Sequence, residues 1–526
     1  YWEVQAKFQV QSGEYTGRWF DEGFKKDPDD IHKRAERIWE LVKAKAIQEK
    51  CENHSGEVTE KSKPSKQAAP ALFDLTTLQR EANARFGFSA RNTLAIAQAL
   101  YERHKILTYP RTDSKCLPED YVNTVKQTIE GLEQAEYKSI AGDILKNDWV
   151  KASNKKIFNN SKISDHFAII PTLKAAPSTL KEQEQKVYDL VVKRFLAVFY
   201  PSAEFLVTTR ITRIGGEPFK TEGKVLVKSG WLVVYGREQQ KDDTGHLAPV
   251  NEGEPVKVCE VNVDAKATRP PARYTEATLL SAMEHAGKRV DDEELAEAMI
   301  EKGLGTPATR ASIIEELIRH KYMVREQREL IPTAQAFSLV TLLTALSVDA
   351  LSKPELTGDW EFKLKEIERG NYDRESFMND IRGMTDHIVT ATKAYDGDTV
   401  PGDYGHLDAA CPKCDGGVIK ETYKRFHCKD EECDFSFWKI MGGRQFELAE
   451  ANELVSMRRI GPLDGFRSKM GRAFSAELKL TDDHKVEFDF GNDDDDDEEV
   501  DFTGQESVGS CPKSVSYTHL TLPTKA

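Results

Sequence analysis

The chain has 526 residues, 39% of them hydrophobic, with eight cysteines and a formal net charge of −14. That length and apolar content can fill several cores, so the expectation is a soluble, multi-domain α+β protein. No window approaches 18 uninterrupted apolar residues, and the opening YWEVQAKFQVQSGEYTG has neither the basic start nor the apolar core of a signal peptide. A membrane helix and a leader are therefore not expected, and the cytoplasm is.

The negative charge is concentrated in one place. Twelve acidic residues and one lysine lie between Asp482 and Asp501, so the rest of the chain carries only about −3. The body can hold basic surfaces, and residues 482–513 read as an acidic disordered tail with the low-complexity run DDDDDEE at its centre. Six Lys/Arg stand against two acids between Arg80 and Arg111, which suits either a solvated helix face or a polyanion site.

In chain order, WEVQAKFQV alternates like a strand, and DDIHKRAERIWELVKAKAIQE places Ile31, Ala35, Ile38, Leu41 and Val42 at helical spacing. Residues 51–70, ending KSKPSKQAAP, read as a polar loop. DLTTLQREANARFGFSARNTLAIAQALYERHK predicts two helices, with Ser89 capping the second. Residues 182–200 predict an amphipathic helix, and 203–263 predict strands separated by Gly and Pro turns. TPATRASIIEELIRHKYMVRE has the rhythm of a winged helix-turn-helix. DGDTVPGDYGH reads as a linker into a cysteine-rich module.

The stretch ILTYPRTDS, residues 106–114, sets Tyr109 and Arg111 two apart, on one face if the segment is a strand. A phenol with pKa about 10 is a weak nucleophile at neutral pH. A neighbouring guanidinium stabilises phenolate and grips phosphate with two parallel hydrogen bonds. That pairing suits phosphodiester transfer to tyrosine. The second signal is CPKCDGGVIKETYKRFHCKDEEC, where Cys411, Cys414, Cys428 and Cys433 supply four thiolates at zinc-ribbon spacing. Tyr423, Phe426, Phe435, Phe437 and Trp438 interleave there with Lys420, Lys424, Arg425 and Lys439, a pattern that suits stacking on unpaired bases or packing of a small core.

LTYPRTDS resembles the active-site motif of type IA DNA topoisomerases, in its topoisomerase III form. FDLTTLQREANARFGFSA, LAIAQALYE, ISDHFAIIPT and RYTEATLLSAME with GLGTPATRASIIEEL match the same family in order, over roughly residues 1–380. The resemblance implies a ring-shaped fold with a C-terminal zinc ribbon. It implies that Tyr109 attacks one strand and becomes linked to its 5′ phosphate, with Arg111 binding phosphate and His166 contacting the strand nearby. Gln98, Asp113, Ser164, Thr309 and Arg310 fall in stretches similar to strand-contacting segments. Phe167 departs from the His or Glu common in the family. The implied partners are DNA, chiefly single-stranded, with a helicase as a candidate, and the implied state is a monomer. No ATP is needed, in keeping with the absence of a GxxxxGK[ST] motif.

On this resemblance, residues 1–60 and 182–268 form a gate domain, 61–181 a catalytic-tyrosine domain, 269–395 a helical winged-helix-like domain and 408–445 a zinc ribbon. Family members hold Mg2+ in an N-terminal Toprim domain through an Asp-x-Asp-x-Glu motif. The only early Asp-x-Asp is Asp27-Pro-Asp29, without the glutamate, so a fragment with weak strand passage is expected. GSCPK at 509–513 resembles the start of a second ribbon, and 514–526 an artefactual tail. A non-catalytic single-strand-binding scaffold and a zinc-ribbon transcription factor are the alternatives. Tyrosine recombinases and relaxases are disfavoured, because no His-x-x-Arg or His-x-His occurs.

Overall fold

A computed structural model describes residues 1–490 apart from 28–29, 31, 53, 133–136, 237–246, 252, 290–302, 349–350, 396–404, 415, 423 and 469–471. Asp29 of the early Asp-x-Asp, Tyr423, most of the linker, the DDDDDEE run, the second CPK and the final tail lie outside the described residues. The chain forms two compact units, Tyr1–Pro332 with Val348–Thr390, and Thr333–Ser347 with the described residues from Ala391 onward.

In the first unit, β1 (Trp2–Val10), β2 (Gly13–Trp19), β3 (Ser55–Gln67), β4 (Ala203–Ile214), β5 (Glu217–Lys228) and β6 (Pro255–Ala265) close into an antiparallel barrel, ordered β1-β2-β5-β4-β3-β6. Alternation along β1 turns Val4, Ala6 and Phe8 inward, where Phe8 meets Tyr15 and Phe219 at ring distances of 5.3 and 5.5 Å. Arg210 is fully buried, and its charge is met by Glu60 at 2.6 Å, the Ala248 carbonyl and the Tyr15 ring.

Two local expectations fail here for physical reasons. Residues 55–67 are a strand, not a loop: β3 pairs with β4 from Gly56 to Gln67. It pairs with β6 only from Ser55 to Glu57, so beyond that point it is an edge strand. An edge exposed on both faces tolerates Pro64 and three lysines, and shows no alternation for sequence reasoning to detect. The first helix, α1, spans only Leu41–Cys51, because Ile38 exchanges backbone hydrogen bonds with Trp2 and joins the barrel margin.

The tyrosine-bearing layer comprises α2 (Leu75–Phe86), α3 (Ala90–Glu102), α4 (Val122–Leu132), α5 (Lys138–Lys146) and α6 (Glu182–Ala197). Asp74 caps α2 and Gly87 ends it in the left-handed region at φ 72°. Ser89 caps α3 by accepting from Asn92 N, as predicted. Val187, Leu190, Val191 and Phe195 of α6 share one core with Leu78, Leu100, Ile106 and Ile129. The helix at 182 therefore packs into the tyrosine layer. Beyond the barrel come α7 (Glu276–Glu284), the helix Pro307–Arg319 and the hairpin β7 (Met323–Glu326) and β8 (Glu329–Pro332), matching the winged-helix rhythm. The helices Glu355–Glu368 and Arg374–Ala394 follow.

In the second unit, β9 (His406–Ala410), β10 (Val418–Glu421), β11 (Arg425–Cys428) and β12 (Ser436–Trp438) form a sheet ordered β12-β11-β10-β9. A hairpin, β13 (Ile440–Met441) and β14 (Arg444–Gln445), leads to the helix Leu448–Met457 and a sheet of β15 (Arg459–Arg467), β16 (Ala473–Leu480) and β17 (Val486–Asp489). Phe426, Phe437, Leu454, Phe466 and Leu478 lie in one core. The cysteine-bearing sheet therefore shares its core with the module that follows, and the acidic tail does not begin at 482. Val486 and Phe488 alternate along a strand that pairs with β16, so its acids are the solvent face of a small sheet.

Candidate active site and metal centre

The segment 106–114 is extended but belongs to no strand, so the one-face argument for Tyr109 and Arg111 does not apply. Its partner, 162–172, meets it through an isolated bridge, Leu107 to Pro171, and through side-chain bonds. Thr108 N donates to Ile170 O at 3.0 Å, and Thr112 Oγ1 donates to His166 O at 2.9 Å. Ser114 Oγ donates to Lys162 O at 2.8 Å. These bonds bring His166 onto the nucleophile candidate. The Tyr109 and His166 rings lie 4.3 Å apart at 46°, and Tyr101 of α3 meets Tyr109 edge-on at 5.4 Å.

Arg111 is exposed, and with the Gln98 amide turned to satisfy its surroundings, Gln98 Oε1 accepts from Arg111 Nη2 at 2.9 Å and Nε at 3.1 Å. Ser164 Oγ donates to Asp113 Oδ1 at 3.2 Å. Arg111, Asp113, Ser164 and His166 line a cleft of about 150 Å3 together with Thr306, Pro307 and Ala308. The last three open the helix Pro307–Arg319, whose N-terminal partial positive charge favours an anion. Thr309 spends its hydroxyl on the cap, accepting from Thr306 N at 2.9 Å.

One sequence assignment changes. Arg310 is 3% exposed and points inward, donating to Thr76 Oγ1 at 2.9 Å and Leu304 O at 3.1 Å. It fixes the helix that borders the cleft and presents no surface to a strand. Phe167, the departure from the family pattern, packs on Tyr121 at 5.0 Å in the core of the tyrosine layer. The basic excess of 80–111 is also partly neutralised, with Arg80, Arg85 and Arg103 paired to Glu284, Glu81 and Glu184.

One constellation escaped the sequence. Beneath the tyrosine loop, Leu75 N donates to Thr112 O at 3.0 Å, and Lys115 Nζ lies 3.2 Å from Asp74 and 3.3 Å from Glu284. Burial pushes the Asp74 carboxyl above its ordinary range despite the opposing pull of Lys115 and Thr77. Glu284 lies 169 positions from Lys115, and no local pattern links them.

The Sγ atoms of Cys411, Cys414, Cys428 and Cys433 all lie within 4.8 Å of one another. Cys411–Cys433 is 3.7 Å and Cys414–Cys428 is 3.6 Å. Those separations are too long for disulfides and match the edges of a tetrahedron with Zn–S bonds of about 2.3 Å. Gly417 makes room for the cluster: a Cβ there would stand 2.4 Å from Cys428 Sγ and 2.7 Å from Cys414 Sγ. The donor set fits zinc. Of the interleaved aromatics, Phe426, Phe435 and Phe437 are core, whereas Trp438 is 63% exposed opposite Arg425.

The fold aligns with full-length topoisomerase I from Thermotoga maritima at a TM-score of 0.55 and 21% identity, covering 86% of this chain and 66% of that one. That is a likeness of fold. Residues 1–379 match the family described as DNA topoisomerase, and residues 432–491 match the C-terminal repeat of topoisomerase. The chain belongs to the DNA topoisomerase family. DNA topoisomerase 3 of Bacillus cereus is 37% identical over 414 residues, 76% of this chain and 55% of that protein. DNA topoisomerase 3 of Bacillus subtilis is 39% identical over 393 residues, 72% and 52% respectively. The chain spans about half the length of the curated relatives it matches. Among the described residues, no helix is long and apolar enough to cross a membrane.

Proposed function

We propose that the chain carries the strand-cleaving centre of a type IA DNA topoisomerase of the topoisomerase III kind. The Tyr109 oxygen attacks a phosphodiester of one strand and loses its proton. The 3′ oxygen leaves and becomes a hydroxyl, and the 5′ phosphate stays on the tyrosine. Reversal rejoins the strand without ATP, since the phosphotyrosyl bond conserves the phosphodiester. Arg111 holds the phosphate oxygens, and His166 and the helix end at Thr306 border the same anion. The observation that carries this reading is that Arg111, His166 and that helix end line one cleft, with the Tyr109 ring 4.3 Å from the His166 ring.

The proposed partner is DNA in single-stranded form, bound by the chain as a monomer in the cytoplasm, with Trp438 and Arg425 stacking on and pairing with a strand at the ribbon. Zn2+ would be held by the four cysteines and would lock the ribbon. Among the described residues the cysteines are the one cluster of metal-ligating groups. Tyr109→Phe tests the assignment: covalent adducts with a labelled oligonucleotide disappear while strand binding persists. Adducts that survive in that variant would assign the nucleophile elsewhere. Strand binding without adducts in the wild type, even with a Toprim domain supplied in trans, would favour a non-catalytic binding protein, for which the exposed Trp438 already provides a surface.

A further inference from the structure

Among the paired arginines of the tyrosine-bearing layer, Arg111 is held differently from the rest. Arg80, Arg85, Arg103 and Arg194 each face a carboxylate. Among the described residues no carboxylate pairs with Arg111, and its partner is the neutral carboxamide of Gln98, whose single oxygen accepts from Nη2 and Nε. The guanidinium has five N–H donors in a rigid plane. Fixing two of them along one edge sets the plane and leaves the edge formed by Nη1 and the second N–H of Nη2 for two parallel bonds to phosphate.

Gln98 sits on α3, with Ala97 and Leu100 buried beside it. Three residues further on, Tyr101 lies on the same helix face and touches the Tyr109 ring. One face of α3 thus braces both members of the Tyr-Pro-Arg motif. A carboxylate at position 98 would grip the guanidinium equally well in geometry, but it would offset the charge needed at the phosphate. A neutral acceptor fixes orientation and leaves the charge intact.

We propose that Gln98 is a positioning residue for Arg111, a neutral clamp that orients the guanidinium toward the strand phosphate, and not a contact to the strand itself. The proposal rests on the reading of Arg111 as a phosphate ligand and is independent of whether Tyr109 attacks.

The test is binding of a fluorescent single-stranded oligothymidylate to the chain across a salt series. Arg111→Met removes one phosphate contact, and the slope of log affinity against log salt falls by about 0.7. Gln98→Glu is expected to reproduce that fall, because the new carboxylate neutralises Arg111, and the double variant Gln98→Glu/Arg111→Met is expected to lose nothing more. Gln98→Met keeps the wild-type slope and weakens binding several-fold, which separates lost orientation from lost charge and guards against misfolding of the glutamate variant. A wild-type slope in Gln98→Glu, or a loss that adds to that of Arg111→Met, overturns the clamp. So does an Arg111→Met slope equal to wild type, which would also remove Arg111 from the phosphate. Adduct formation at Tyr109 is scored separately and reports on the proposed function alone.

Discussion

The buried hydroxyl of Thr112 donates to the backbone carbonyl of His166 at 2.9 Å, tying the loop that carries the tyrosine to the loop that carries the histidine. Thr112→Val keeps the shape and removes the donor, leaving a carbonyl in a buried place without its partner at a cost of about 1–3 kcal/mol. The expected outcome is a fall of about tenfold in adduct formation, with the salt dependence of strand binding unchanged and activity recovered in Thr112→Ser. Adduct yields for Thr112→Val equal to wild type would show that the tie does not set the site.

Lys115 joins that loop to two carboxylates from other elements, Asp74 and Glu284. Burial lowers the Lys115 pKa, but the two carboxylates outweigh it and hold it above the usual 10.5. A cation whose pKa is raised by folding contributes stability that is fully present below its unfolded value and lost as pH rises through the folded one. Lys115→Met is therefore expected to melt below wild type at neutral pH, and the gap is expected to narrow above about pH 10.5. Thermal midpoints measured from neutral to strongly alkaline pH decide this, and a constant gap would mean that the ion pairs contribute nothing specific.

What the sequence revealed and what it hid follow from the range of the interactions. The helices at 75–102 were legible because their signals are local, as with Ser89, which caps the backbone three residues on. Tyr109, Arg111 and the four cysteines were legible as chemistry. The position of β3 was hidden because an edge strand exposed on both faces carries no alternation. The inward turn of Arg310 was hidden because Thr76, its partner, lies 234 positions away. The module from Leu448 to Asp489 was passed over because its first strand, Arg459–Arg467, shows no regular alternation and the acids around Val486 and Phe488 resemble the tail beyond them.

Thiol chemistry separates the cysteines. Burial pushes Cys51 up to about 12 and raises Cys116 as well, whereas Cys259 is exposed. Since only thiolate reacts, alkylation of the native chain near pH 8 is expected to label Cys259 well before Cys51 or Cys116. Peptide mapping after timed alkylation checks the order. Equal rates at Cys51 and Cys259 would show that the barrel wall around α1 opens freely.

The four-cysteine cluster reaches further than a ribbon of its own. Cys411 and Cys428 lie in one core with Leu454, Phe466 and Leu478, so the metal site and the C-terminal repeat are expected to stand or fall together. Because the thiolate set is not preformed in the unfolded chain, zinc binding is folding free energy, and its removal should release the whole module. After chelation, amide exchange is expected to accelerate across Arg459–Arg467 and Ala473–Leu480 as well as across the ribbon strands, while α3 and the barrel keep their protection. Gly417→Ala is expected to mimic chelation, because its Cβ would enter the sulfur cluster at 2.4 Å from Cys428 Sγ. Strands β15 and β16 that stay protected in the chelated chain would show that the repeat folds without its metal, and that the shared core is a contact rather than a dependence.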